Sequence, residues 1–331
     1  MSVVVGTFNL NNLFSRFNFR AEIDVDAGGD GPALRASYRF SNPENVRIRR
    51  YRGALVRGKD APGRGHIARR LLGTHEDIDI HPPDVGVWAV QQVEDIDTLR
   101  FFAHTEPGDA YPHIVLIEGN DPRLIDLAVL SKLPLGAVTS WQHAVHPDAV
   151  SERVFGRDLL EVEVFNSDRN KRLITLFNNH LKSHFAPFDE DQIAGAIAAN
   201  QRRRQQAEMI ATIVAARTRP DSPYVIAGDM NDPPNSPSLA PFTTSNQLQL
   251  VDGLKNPVET RPAKADTPAP VGTAWTHRFK ESGQPAQYEL FDQIWLSPSL
   301  ADRHDGSWIL RRSTHSGQGS DHDPAVVRLA I

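Results

Sequence analysis

The run 85–91, Val-Gly-Val-Trp-Ala-Val-Gln, constrains the fold more than any other stretch of this chain. It is almost wholly apolar and reads as a strand buried on both faces. Such a strand needs cover on each side, from a second sheet or from helices. Short runs of the same kind recur at 3–8, 114–117, 125–130, 138–141, 159–165, 173–178, 224–227, 273–276, 288–296, 308–311 and 325–329. Residues 166–170 join two of them as a hairpin-like connection. Helices are expected at 66–74, at 95–103 with Asp95 and Asp97 suited to the first turn, and at 191–217. In the last, Ile193, Ile197, Ala207, Ile210, Ile213 and Val214 give an apolar stripe, with Arg202, Arg203 and Arg204 on the solvated side. Residues 255–271, rich in Pro, Lys and Thr, read as loop. Many short strands with helices between some of them predict an α/β fold: a four-layer sandwich of two packed mixed β-sheets flanked by helices, in one domain over 1–331.

Residues 15–62 stand apart as an insertion, with a loop at Gly28-Gly29-Asp30-Gly31-Pro32. From Arg35 to Arg70 there are ten arginines and one lysine, against Glu44 and Asp60. The stretch is either a solvated surface segment or a basic flap that faces substrate. The overall charge of −5 argues against a broad basic surface. No stretch approaches the roughly 18 to 20 apolar residues that span a bilayer. Met1 to Phe8 reads as a first strand and not as a signal peptide, so a cytoplasmic location is expected. The absence of cysteine excludes disulfide partners and thiolate chemistry. Nothing here sets the oligomeric state, and a monomer is the simplest expectation.

Two polar stretches follow or precede apolar runs: Gly228-Asp229-Met230-Asn231-Asp232 and Ser320-Asp321-His322-Asp323. Carboxylate, amide and imidazole groups at strand ends suit a hard divalent cation and a phosphoryl oxyanion. Read in order, the polar residues at strand ends are Asn9, Gln92 and Glu94, Asn179 and His180, Asp229 and Asn231, Asp292, and Asp321 and His322.

In that order the chain resembles the endonuclease/exonuclease/phosphatase superfamily of metal-dependent phosphodiesterases, whose members include DNase I-like and exonuclease III-like enzymes. The matching segments are Thr7-Phe8-Asn9-Leu10, Gln91-Gln92-Val93-Glu94, Asn179-His180-Leu181-Lys182-Ser183, Gly228-Asp229-Met230-Asn231, Phe291-Asp292-Gln293-Ile294 and Ser320-Asp321-His322. The resemblance implies that His322 assists the attack of water on phosphorus, oriented by Asp292. It makes Asp229 a water-activating carboxylate, Asn231 a phosphate-binding amide and His180 a donor to a non-bridging oxygen. Arg123 lies where many members place a residue near the phosphate. Mg²⁺ or Mn²⁺ would be held by Asn9, Gln92, Glu94 and Asp321. DNA or RNA is the first substrate expected, and a small phosphate ester the alternative. Asp232 would cap a turn, Arg157 and Asp158 would form a structural ion pair, and His143, His146, His277 and His315 read as loop histidines.

One position departs from the pattern. The principal metal ligand of this superfamily is a glutamate that follows a glutamine, and Gln92 stands in its place. A glutamine carbonyl coordinates a hard cation but carries no charge, which weakens such a site. Three readings are open. Gln92 is itself the ligand of a weaker site; Glu94, on the same face of an extended strand, supplies the carboxylate; or the site is impaired, by natural loss or by an introduced substitution, and the chain is a non-catalytic binding protein.

Overall fold

The computed structural model describes residues 2–15, 19–26, 33–40, 58–74, 82–184, 191–219, 221–260, 270, 274–280, 283–312 and 319–331. The first half of the chain carries β1 (Ser2–Leu13), β2 (Phe19–Asp26), β3 (Ala33–Phe40), α1 (Ala61–Leu72), β4 (Val87–Val93), α2 (Ile96–Thr105), β5 (His113–Ile117), β6 (Asp126–Ser131), β7 (Leu135–Ser140), β8 (Val145–His146), β9 (Ala149–Arg153) and β10 (Leu159–Phe165). The second half carries β11 (Arg172–His180), α3 (Gln192–Arg217), β12 (Tyr224–Asp229), α4 (Ala240–Thr244), β13 (Val251–Asp252), β14 (Val258–Thr260), β15 (His277–Phe279), β16 (Gln287–Glu289), β17 (Asp292–Leu296), α5 (Pro298–Ala301), β18 (His304–Leu310) and β19 (Ala325–Ala330). A seven-stranded sheet runs β14-β18-β19-β1-β4-β6-β5, and a six-stranded sheet runs β13-β17-β12-β11-β10-β7. Each is mixed: β1 pairs parallel with β4 and β11 parallel with β12, whereas β1–β19 and β12–β17 are antiparallel. This is the expected sandwich.

The two-residue period of a strand sorts its side chains between layers. Val3 and Val5 of β1, Val87 and Ala89 of β4, Ile174 and Leu176 of β11, Val225 and Ala227 of β12, and Ile294 and Leu296 of β17 fill the core between the sheets. Their neighbours face outward. Phe8, Trp88 and Val90 pack with Ile67 and Leu71 of α1 and with Leu99 and Phe102 of α2. Phe177, Ile226 and Trp295 pack with Ala207, Ile210 and Val214 of α3. The run 85–91 is therefore buried on both sides, as its composition requires.

Several elements differ from expectation. The α3 stripe holds only from Ala199 onward; Ile193 and Ile197 are 76% and 62% exposed, and the buried residues of the helix run from Ala199 to Val214. Arg203 is not solvated. It is 0% exposed, and its Nε donates to Asp232 Oδ2 at 2.9 Å. α1 starts at Ala61, with Asp60 accepting from Gly63 N at 2.9 Å as its N-cap. The run 288–296 breaks at Leu290 and Phe291 into β16 and β17, which belong to different sheets. The strand expected at 273–276 falls instead on β15, and β14 lies inside the expected loop 255–271. Within the 15–62 insertion, β2 and β3 form an antiparallel hairpin with a two-stranded sheet of its own. Residues 41–57, which carry half of the ten arginines between Arg35 and Arg70, lie outside the described residues, as does His315. Among the described residues no helix is long and apolar enough to cross a membrane.

Arg70 closes the Arg-rich stretch but is fully buried. Its Nη2 donates to Asp323 Oδ1 at 2.6 Å and to the His322 carbonyl at 2.8 Å, and its guanidinium lies 4.8 Å from the Phe8 ring centre. Asp323 also accepts from Arg311 Nη1 and from the Arg312 amide, each at 3.2 Å. Removing one partner of a buried ion pair leaves the other charge uncompensated. Asp323→Ala is expected to cost about 3–5 kcal/mol in urea-induced unfolding; a loss below about 1 kcal/mol would show that Arg70 finds its compensation elsewhere.

Candidate active site

At one end of the sandwich the inward-facing positions change from apolar to polar. On β1, Val3 and Val5 give way to Thr7 and Asn9; on β4, Val87 and Ala89 give way to Gln91. On β11, Ile174 and Leu176 give way to Asn178 and His180, and on β12, Val225 and Ala227 give way to Asp229. β17 runs the other way and begins with Asp292. All of these polar residues are buried. Buried polar groups persist only when paired, and here they pair across the gap. Gln91 Nε2 donates to Thr7 Oγ1 at 3.1 Å and to Asn178 Oδ1 at 2.8 Å. Asn178 Nδ2 donates to the Val90 and Ala128 carbonyls at 3.1 and 2.9 Å. One layer further out, Asn9 Nδ2 donates to Asp229 Oδ2 at 2.8 Å.

Asp229 Oδ2 is the meeting point. His180 Nε2 lies 3.3 Å from it and His322 Nε2 3.9 Å. Asp229 Oδ1 accepts from the Asn231 amide at 2.9 Å. β12 ends at Asp229 and Asn231 has φ 52°, so the two side chains are related by a tight turn, not by an extended strand. The turn depends on Gly228, at φ 148°, where a Cβ would lie 2.0 Å from the Asn179 carbonyl oxygen. Asn231 Nδ2 donates to the Leu181 carbonyl at 3.1 Å. Asp232 caps no turn; it pairs with Arg203.

His322 is held on three sides. Its Nδ1 lies 2.6 Å from Asp292 Oδ2, its amide donates to Ser320 Oγ at 3.1 Å, and Ser320 Oγ donates to the Asn9 carbonyl at 2.6 Å. Burial alone would lower its pKa, but Asp292 and Asp229 outweigh burial and push it up to about 10. His180 goes the opposite way: burial, then the charges of Arg157, His322 and Arg123, hold its pKa well below the usual value. Burial, reinforced by Asp292, raises Asp229, and His322 and Asn9 act against it. At neutral pH the site therefore pairs a cationic His322 with a neutral His180. Asp321 is 51% exposed on its side chain; against the pull of burial, His277 and His322 hold its carboxyl below the usual range.

The structure brings Asn9, His180, Asp229, Asn231, Asp292, Asp321 and His322 together. Arg123 stands at the rim, its side chain 61% exposed, with Nε and Nη2 on Asp121 at 3.0 and 2.8 Å. Arg157 does not pair with Asp158. Its Nε lies 3.2 Å from Asp121, and Asp158 accepts from the Trp141 amide at 2.8 Å. His146 is buried, 3.1 Å from Glu208. His277 is a site residue and not an isolated loop histidine: its ring centre lies 4.7 Å from that of His322. Gln91 and Asn178 were also missed as inward groups, although their even spacing from Val87, Ala89, Ile174 and Leu176 carries the signal.

The hard-cation residues are less alike than expected. Gln92 has φ 63°, and the β4–β6 register shifts between Gln91 and Val93, so Gln92 and Glu94 do not share the face of an extended strand. Gln92 Oε1 accepts from the Asn12 amide at 3.1 Å, Glu94 Oε2 from the Ser15 amide at 2.9 Å, and Asn9 Oδ1 from the Asn11 amide at 2.9 Å. This all-oxygen set fits a hard divalent cation in type while remaining poor in charge.

A family model described as the Endonuclease/Exonuclease/phosphatase family matches residues 6–322. No curated protein sequence matches the chain closely enough to count as a relative. An endonuclease/exonuclease/phosphatase protein from Bacteroides vulgatus shares its fold at TM-score 0.57 and 15% identity, covering 100% of this chain and 99% of that one. The mannosyl-6-phosphatase Bt3783 of Bacteroides thetaiotaomicron gives TM-score 0.54 and 13% identity, covering 99% and 100%. D. rerio TDP2, complexed with a single-strand DNA product, gives TM-score 0.54 and 12% identity, covering 100% and 99%.

The His322 shift sets a pH signature. Its folded pKa is raised above the unfolded value of 6.5, so its contribution to stability is fully present below about pH 6.5 and is lost as pH rises through about 10. Imidazole NMR is expected to find His322 charged at pH 8, and Asp292→Asn is expected to lower its titration by at least about one unit. Titration of the native His322 near 6.5 would contradict the pairing.

Proposed function

The chain belongs to the endonuclease/exonuclease/phosphatase family, and from that premise we propose that it hydrolyses a phosphoric ester by in-line attack of water, with a phosphodiester of DNA or RNA as the first substrate. The observation that carries this reading is the convergence of Asn9, His180 and His322 on one buried oxygen, Asp229 Oδ2. A carboxylate whose pKa burial raises is a better base than an exposed one, so Asp229 accepts the proton of the attacking water. Asn9 and the Asn231 amide fix its orientation before substrate arrives. His322, held cationic by Asp292, sets a positive charge where the phosphoryl oxygens gain negative charge, and His180 adds a neutral donor. Arg123, at the rim, steers the incoming phosphate. Asn9, Asp321 and either Gln92 or Glu94 would hold Mg²⁺ or Mn²⁺, which would supply Lewis-acid charge to a phosphoryl oxygen and to the leaving alkoxide.

A small phosphate ester is the second reading for substrate. It is favoured by the net charge of −5 and by the likeness to a mannosyl-6-phosphatase. Salt separates the two: nucleic-acid affinity falls steeply with salt, and a flat dependence favours the small ester. A binding protein without turnover remains the reading if calorimetry finds no Mg²⁺ or Mn²⁺ binding at millimolar concentration.

Hydrolysis of bis-p-nitrophenyl phosphate with Mg²⁺, Mn²⁺ or chelator tests the reaction. Metal-stimulated turnover is expected, reduced about 10²- to 10⁴-fold by Asp229→Asn. Gln92→Glu is expected to tighten Mg²⁺ binding and raise turnover at low cation concentration. Absence of metal-stimulated turnover across several diesters and monoesters would sink the proposal.

A further inference from the structure

His277, Asp321 and His322 are the one group of three histidine and acidic side chains, among the described residues, whose ligand atoms lie within 4.8 Å of one another. We propose that they form a second cation site, for Zn²⁺ and similar borderline metals, whose occupation withdraws His322 and Asp321 from hydrolysis. His277 Nε2 lies 3.7 Å from Asp321 Oδ2, and His322 Nε2 lies 4.0 Å from Asp321 Oδ1. Ligands about 2.0–2.1 Å from a tetrahedral centre are roughly 3.3–3.4 Å apart, so the His–Asp separations need to close by less than an ångström and the whole set, within 4.8 Å, by about an ångström. Asp321 is half exposed, which gives its carboxylate room for that adjustment.

The surroundings are built as a metal site's surroundings are. A metal-bound imidazole commonly gives its other ring N–H to a carboxylate, and His322 Nδ1 already lies on Asp292 with Nε2 turned toward the cluster, where the metal would take the place of the Nε2 proton, which is released to solvent. His277 is fixed independently. Its backbone bridges to that of His322, the Asp323 amide donates to the Thr276 carbonyl at 2.7 Å, and the His277 ring stacks on Phe291 with centres 5.1 Å apart and planes 13° apart. Two imidazoles and one carboxylate select Zn²⁺, Co²⁺ or Ni²⁺ over Mg²⁺, which prefers oxygen ligands alone. The Asn9, Gln92 and Glu94 oxygens, an all-oxygen set, make the opposite choice. Lys59, whose Nζ donates to the Gly319 carbonyl, is a nearby cation whose charge bears on Asp321 and with which the metal competes.

The full chain, stripped with chelator, is titrated with Co²⁺ and followed by its visible d–d absorption, and with Zn²⁺ by calorimetry. One tight equivalent with an intense, tetrahedral-type Co²⁺ band is expected. His277→Phe keeps the stack on Phe291 and removes the ligand; it is expected to weaken both metals by about tenfold or more. Asp321→Asn, at an exposed position, serves as the second variant and is expected to do the same. Zn²⁺ at the measured affinity should suppress Mg²⁺-supported turnover of the native chain, and the ratio of turnover with and without Zn²⁺ should return to about one in His277→Phe. An unchanged Co²⁺ band or Zn²⁺ affinity in both variants would overturn the site. The metal titrations are read without turnover, so a chain that hydrolyses no ester would refute the proposed activity and leave this site to stand or fall on its own.

Discussion

A hydrogen bond of 2.8 Å between Asn9 Nδ2 and Asp229 Oδ2 joins one sheet to the other, and the functional end of the molecule depends on it. The two residues are 220 positions apart in sequence. They meet because the alternation that sends Val3, Val5, Val225 and Ala227 into the core continues past the last apolar position. A core that ends in polar groups must satisfy each of them, since an unpaired buried amide or carboxylate costs several kcal/mol. Gln91, Thr7 and Asn178 pair in the layer beneath, and Asn9, Asp229 and His180 in the layer above, leaving Gln91 Oε1 and His180 Nδ1 buried without a hydrogen-bond partner among the described residues. The polar seam is thus an extension of the hydrophobic core by the same periodic rule, and it fixes the carboxylate before any substrate is bound.

Around this seam the backbone departs from regular structure where the site requires it. Asn11, Asn12, Gln92 and Asn231 all have positive φ, and Gly228 has φ 148°. A non-glycine residue held there costs of order 1–3 kcal/mol and persists only where its surroundings over-determine it. Here side chains receive the turned backbone: Asn9 accepts from Asn11, Gln92 from Asn12 and Asp229 from Asn231. Arg70 and Asp323 do the equivalent work from beneath the Ser320–His322 segment, with charges instead of turns.

The layered fold was legible because apolar runs with turn signals between them report strands directly. The site positions were legible because they sit where those runs end. Other features depend on partners far away in sequence, which local pattern does not show. Arg70 and Arg203 lie in arginine-rich stretches that read as solvated, yet each is buried because Asp323 or Asp232 meets it inside. His277 reads as a loop histidine until β15 carries it beside His322. Gln92 and Glu94 share a face only on an extended strand, and the left-handed turn at Gln92 removes that premise.

The electrostatics follow from the same placement. Asp292 and Asp229 keep His322 charged, while burial and the nearby arginines keep His180 neutral, so two histidines of one site take different roles. Together they face the oxygen of Asp229 on which the proposed chemistry turns. The most direct measurement is a crystal structure of the full chain with vanadate, which takes up the five-coordinate geometry of phosphoryl transfer. The account predicts the oxyanion seated against His180, Asn231 and His322, with its apical oxygen on Asp229; vanadate bound away from Asp229 in a chain that hydrolyses phosphate esters would contradict it.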